Sequence, residues 1–217
     1  MLYAEALYDA QRQKGDRAEI GDRTPLGIHD TFIADGAART FAPLWWRTWR
    51  YLEIEVTTAQ EPLTLLALRV NETGYPFRQA ARFSSSDPEL DRIWDIGWRT
   101  LRVDAHETFM DSSFWEQLQY PGDTRLEMLI TYAVSGDPRL AEQAIDTFAE
   151  SNADGGLVHG RYPSREPIVI ATFSFAWVGM LRDWALEQPD VAVIKHHLPR
   201  MREVLTWFEP LRGSHGL

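Results

Sequence analysis

The sequence predicts an α+β chain in two parts, with short β-strands up to residue 83 and consecutive helical hairpins over residues 84–217. Three observations carry this. Residues 50–56 (Arg50, Tyr51, Leu52, Glu53, Ile54, Glu55, Val56) alternate apolar and polar in the manner of a half-buried strand. Ser84-Ser85-Ser86-Asp87-Pro88-Glu89 reads as a helix start, with capping side chains, proline at the first helical position and acid in the first turn. Beyond it, helical patterns follow one another with short and long connections in alternation, as stacked hairpins do in an open solenoid or a closed ring.

In chain order, Gly15-Asp16, Gly21-Asp22 and Gly36 mark turns in the first part. After residues 50–56, Pro62 precedes a short apolar run over 63–70 that is expected to be a buried strand. Two or three such strands are marginal alone, so they should pair with others. Leu90, Ile93, Trp94, Gly97, Trp98 and Leu101 then recur at the 3–4 spacing of an amphipathic helix. A second helix fits 124–134 and ends at Gly136-Asp137-Pro138, and a third fits 139–151, with Leu140, Ala144, Ile145 and Phe148 on one face. Gly155-Gly156 opens a loop running through Gly160-Arg161-Tyr162-Pro163-Ser164. The fourth helix, near 168–186, is apolar nearly all round and should be buried. The fifth runs from 191 to about 208. No fixed-period repeat occurs, which speaks against TPR, HEAT or ankyrin arrays.

Composition narrows the function. The 217 residues carry 22 Lys+Arg against 32 Asp+Glu, a net charge of −10. That argues against nucleic acid or an anionic membrane surface as the main partner and suits a neutral ligand or a small cation equally well. There is no cysteine, so disulfides, thiolate catalysis and cysteine zinc sites are excluded. No run approaches the ~18 apolar residues of a membrane span. Met1-Leu2-Tyr3-Ala4-Glu5 lacks the basic and apolar regions of a signal peptide, so a cytoplasmic location is expected. Nine tryptophans suit either a core of large rings or a carbohydrate site, where flat rings stack on sugar C–H faces.

Chemistry concentrates in residues 106–125, which link the first two helices and hold Glu107, Asp111, Glu116 and Asp123 among aromatics and amides. Asp123 sits where an N-cap of the second helix belongs and can serve as one. Glu107 suits a solvated or salt-bridged helix end, and Asp111 can bond local backbone N–H groups. Glu116 lies between Trp115 and the Leu118/Tyr120 pair. Partial desolvation there would raise a carboxyl pKa, as a general acid in glycoside hydrolysis needs. His196-His197 point to different faces of a helix and do not make a metal pair, and His106, Glu107 and Asp111 lack HExxH spacing. No phosphate loop, GxSxG or Ser-His-Asp order is present. The reading calls for no cofactor and no metal.

The block D-x-x-x-x-E-Q-L-Q-Y-x-x-D-T-R (Asp111, Glu116, Asp123), preceded by H-E-T-x-M, resembles the catalytic-loop signature of the α-L-rhamnosidases of glycoside hydrolase family 78. Upstream, Phe41-Ala42-Pro43 and Trp49-Arg50-Tyr51-Leu52-Glu53-Ile54 resemble the end of that family's β-sandwich domain. Downstream, Gly160-Arg161-Tyr162-Pro163-Ser164 and the segment from Phe173 to Leu181 resemble its next blocks, in the expected order. The resemblance implies a multi-domain α+β fragment: a β-sandwich segment over 1–83, then the first hairpins of an (α/α)6 catalytic toroid over 84–217. It implies inverting hydrolysis of terminal α-L-rhamnosides, with Glu116 as general acid. Asp111 and Asp123 would grip the sugar hydroxyls, and Trp115, Tyr120 and Trp177 would wall the C6 methyl. Ser112-Ser113 stands where family members often carry Cys-Pro. Carboxylates suit the hydroxyl edge of rhamnose and aromatic walls suit its methyl.

An inverting enzyme also needs a carboxylate roughly 6.5–9.5 Å from the acid to activate water. In the family it comes from a glutamate far downstream, and Glu166, Glu187, Glu203 and Glu209 do not match that motif. The chain therefore resembles an internal fragment that is expected to be inactive alone. The alternatives are a catalytically silent carbohydrate-binding or scaffold fragment, and an inverting toroid hydrolase for another sugar. With the toroid unclosed, Ile170, Phe173, Phe175, Trp177 and Met180 on the fourth helix should lack partners and promote self-association.

Overall fold

The structure is a computed structural model and describes residues 1–213; residues 214–217, the end of the expected helical part, lie outside the described residues. The chain divides into two compact units, Met1–Thr73 and Gly74–Leu217.

The first unit holds β1 (Leu2–Ala4), β2 (Leu7–Tyr8), β3 (Thr24–Pro25), β4 (Ile28–His29) and β5 (Tyr51–Glu53). They form an antiparallel sheet of order β4-β1-β5 and a β2-β3 pair. In the larger sheet Tyr3 lies opposite both Ile28 and Leu52. Tyr3, Ala4, Ala6 and Leu7 form the buried centre of this unit. The expected strand over 50–56 shortens to β5, because its partner β1 offers only Leu2–Ala4 to pair with. The expected strand over 63–70 is not formed. No ladder partner for it exists among the described residues, and Leu63, Leu65, Leu66, Leu68 and Val70 are exposed.

The second unit contains, among the described residues, α1 (Pro88–Val103), α2 (Pro121–Val134), α3 (Arg139–Glu150), α4 (Ala171–Glu187) and α5 (Ala192–Phe208). The α1 start is the one its residues encode: Asp87 accepts the Glu89 N–H at 2.9 Å and Pro88 opens the helix. Helix α2 starts three residues earlier than its periodicity suggests, because Pro121 presets the first helical φ. Ahead of α1, the Ala80 and Ala81 N–H groups both donate to the Val134 carbonyl, at 2.8 and 2.9 Å. They give the C-terminal end of α2 partners for an orphan carbonyl.

Helix α2 packs chiefly against α4, and α4 also meets α3 and α5. Their facing residues make one core, which includes Phe109, Met128, Ile145, Phe148, Trp177, Met180, Leu181 and Val204. Burial of each large apolar side chain contributes roughly 1.5–3 kcal/mol. Trp177 and Met180 are fully buried, so the face of α4 expected to be unpartnered is in large part covered. Phe175, on the same helix, is exposed at one edge and stacks on Phe208 at 4.0 Å. The two adjacent histidines do separate. His196 is exposed, whereas His197 is buried and bonded to Asp146 at 2.7 Å. No described helix is long and apolar enough to cross a membrane.

Candidate active site

The segment 104–120 leaves α1 and returns to α2. It is anchored by Phe109, Met110 and Phe114, all buried. Between those anchors and α2 the chain closes a small loop on itself. The Asp111 N–H donates to the Leu118 carbonyl at 3.0 Å, and the Leu118 N–H donates back to Asp111 Oδ1 at 3.1 Å. The Ser112 hydroxyl donates to Asp111 Oδ2 at 3.0 Å, and the Gln117 N–H to the Ser112 carbonyl at 3.1 Å. Gln117 takes a left-handed conformation (φ +55°) to complete the reversal. Asp111 thus holds the loop shut through both carboxylate oxygens, and the loop carries Trp115 and Glu116 outward.

Glu116 is exposed, and Trp115 is 54% exposed. The desolvation expected of Glu116 is absent, because the loop projects it away from the buried anchors. What Glu116 has is a hydrogen bond: the Tyr120 hydroxyl donates to its Oε2 at 2.6 Å. Tyr120 is the N-cap of α2 and offers no side-chain cap bond, while Asp123 lies at the third helical position. Asp123 is therefore not the expected cap, because the helix begins at Pro121, ahead of it. Trp177 does not face this region as a sugar wall. It is fully buried, with its indole N–H donating to the Ile145 carbonyl at 3.0 Å.

Two carboxylates absent from the sequence reading join the group. Asp104, the C-cap of α1, is pushed up to about 6 by burial, with the Ser113 hydroxyl and backbone pulling the other way and Asp111 adding repulsion. Glu127 is pushed up to about 9 by burial, then by the charges of Asp104 and Asp123, against the opposing Met110 backbone N–H. Its Oε2 is buried without a hydrogen-bond partner. Asp123 is raised by burial first, opposed by backbone hydrogen bonding, then by the like charges of Asp111 and Glu116. Asp104, Asp111, Glu116, Asp123 and Glu127 therefore form one electrostatic cluster, which suits binding a neutral polyol and handling a proton. The i, i+4 spacing of Asp123 and Glu127 was visible in sequence, since such residues share a helix face. Among the described residues no three His, Asp or Glu side chains are grouped to hold a metal ion.

The fold is shared with known proteins. The family model described as the bacterial alpha-L-rhamnosidase 6 hairpin glycosidase domain matches residues 78–214. The structure is similar to that of a GH78 family rhamnosidase of Bacillus sp. GL1, with 28% identity and a TM-score of 0.63, over 66% of this chain and 15% of that one. It shares its fold with a rhamnosidase from Klebsiella oxytoca with rhamnose bound, at 20% identity and a TM-score of 0.58, over 62% of this chain and 27% of that one. The chain thus spans well under a third of the length of either enzyme. No curated protein matches it in sequence.

Proposed function

The chain belongs to the family of bacterial α-L-rhamnosidase six-hairpin glycosidase domains, and on that premise we propose that it supplies the general acid and the sugar grip for inverting hydrolysis of terminal α-L-rhamnosides. One observation carries the reading. The 111–118 loop presents Glu116 to solvent beside the exposed Trp115 ring, within electrostatic reach of Asp123, while Asp111 closes the loop and its charge also reaches Asp123.

Each group has a distinct task. Glu116 protonates the glycosidic oxygen as the bond to the departing group breaks. Asp111 and Asp123 accept hydrogen bonds from the sugar hydroxyls. Both oxygens of Asp111 already hold one donor each, and a carboxylate oxygen accepts a second. The Trp115 face takes the apolar methyl side of the sugar. The water-activating carboxylate is assigned to the part of such enzymes that this chain does not span. Glu166, the downstream loop glutamate, is exposed and lies 3.9 Å from Arg165.

The test is Glu116→Gln in the natural protein. Turnover of a rhamnoside with a poor leaving group should fall by roughly 10²- to 10⁴-fold, and that of a nitrophenyl rhamnoside by much less, because an activated leaving group needs little protonation. Equal losses on both substrates refute the acid role. Rhamnose binding by calorimetry without hydrolysis of either substrate returns the reading of a silent binding module.

A further inference from the structure

Tyr120 and Arg161 lie 41 residues apart yet share one hydrogen-bonded chain with Glu116. The Tyr120 oxygen is 2.6 Å from Glu116 Oε2 and 3.3 Å from Arg161 Nη1. Arginine has donors only. The Tyr120 oxygen therefore accepts from Arg161, and its single hydrogen is left for Glu116. The direction of the whole chain is set by this bookkeeping of protons. With Tyr120 donating to it, Oε2 is the accepting oxygen, which leaves Oε1 to carry the proton of the neutral carboxyl.

We propose that Tyr120 and Arg161 are positioning residues that make Oε1 of Glu116 the proton-donating oxygen. The inference rests on the reading of Glu116 as general acid. A carboxyl on an exposed loop can otherwise rotate and present either oxygen. Holding one oxygen removes that freedom before the substrate arrives, which is where orientation lowers a barrier. Arg161 polarises the tyrosine O–H and strengthens its bond to the carboxylate.

Both partners are themselves held. Tyr120 immediately precedes Pro121 and meets the edge of Phe173, with ring centroids 6.3 Å apart. That approach needs Gly122, where a Cβ would come within 2.8 Å of the Phe173 ring. Arg161 is fixed by its neighbours. The Tyr162 N–H donates to the Gln119 carbonyl at 3.0 Å, and the Gln119 amide donates to the Tyr162 carbonyl at 3.0 Å. Arg161 Nε also reaches the Glu166 carbonyl at 3.4 Å. Of the charged groups around this chain, Asp123 on α2 repels Glu116 and Arg161 comes from the 157–170 loop. Burial first, then the bond to Glu116, raise the Tyr120 pKa, and Arg161 opposes them. The hydroxyl thus keeps its proton and remains a donor.

Two measurements test this, and they separate it from the functional reading. In the full chain, the titration of Tyr120 is followed through its ring carbon by NMR. Glu116→Gln should lower the Tyr120 midpoint and Arg161→Met should raise it, as the three-group chain requires. A midpoint that stays in place in either variant overturns the inference. In the natural protein, Tyr120→Phe should lower kcat about tenfold on a poor leaving group and less on a nitrophenyl one, with KM kept. Equal losses on both substrates, or a change confined to KM, overturn the positioning role. If Glu116→Gln itself leaves hydrolysis intact, the acid reading has failed, and the tyrosine titration still decides whether the three groups are coupled.

Discussion

Replacing Glu127 with glutamine should flatten the pH dependence of folding. Burial, with the charges of Asp104 and Asp123, keeps the Glu127 carboxyl protonated up to about pH 9 in the folded chain. The unfolded chain releases that proton near the ordinary glutamate value of ~4.3. Between those values the unfolded state binds fewer protons than the folded one, so stability falls as pH rises, by up to ~1.4 kcal/mol per pH unit for one group. Below the unfolded value both states hold the proton and the group is silent. Above the folded value both have released it and the loss levels off. From pH 5.5 to 7.5 the loss amounts to about 2–3 kcal/mol, or about 5–10 °C in Tm for a chain of this size. Glutamine mimics the neutral acid and cannot ionise. It leaves Asp104 and Asp123 in nearly the surroundings they already have below pH 9, so their own titrations cancel in the comparison. Because Oε2 of Glu127 has no partner, the amide also places an unpaired polar group there. That changes the offset between the two proteins but not the slope. Thermal or urea unfolding of both proteins at several pH values between 5 and 8 measures the difference. The wild type should lose ground to Glu127→Gln steadily as pH rises. Parallel curves would show that Glu127 is ionised in the folded chain and would refute the reasoning.

Asp123→Asn removes a carboxylate raised by burial and by like charges, not a helix cap, so Tm at neutral pH should hold or rise while KM for a rhamnoside rises. A fall in Tm with unchanged KM would restore the capping role. Trp177→Ala should cost about 3–5 kcal/mol by urea unfolding, because it empties a fully buried site and removes the indole N–H bond to the Ile145 carbonyl, whereas Trp115→Ala should leave stability within about 0.5 kcal/mol and weaken sugar binding by calorimetry. Gly179→Ala would bring a Cβ within 2.7 Å of the Arg125 guanidinium, displacing it from the buried Asp183, which it meets at 2.7 Å. The expected loss is about 1–3 kcal/mol in unfolding free energy, and Arg125→Met should match it if the ion pair is the cause.

Much of the fold and part of the candidate site were legible in the residues alone. Asp87-Pro88 and the 3–4 spacing that follows specify where α1 begins, because capping and periodicity are local properties of a short stretch. The 106–125 block was recognisable because a loop between helices has no packing need for so many carboxylates and aromatics. The run over 63–70 misled because β-structure is made by partners, and a strand-like pattern without a ladder stays exposed. Trp177 misled for a related reason: an aromatic on a helix reads the same whether it faces a sugar or a core, and only the packing of α2, α3 and α5 around α4 decided it.

The electrostatics of the site lay still further from the sequence. It determined by itself which residues carry charge, where the helices start, and that Glu116 stands between two flanking aspartates. It could not determine that Glu116 is exposed while Asp104 is buried and Glu127 half-buried, or that Arg161, 41 residues further along the chain, meets Tyr120. Local structure follows from φ/ψ preferences and side-chain spacing over a few residues. Desolvation and hydrogen-bond direction depend on which distant groups share the same few ångströms, and that is decided only when the helices pack.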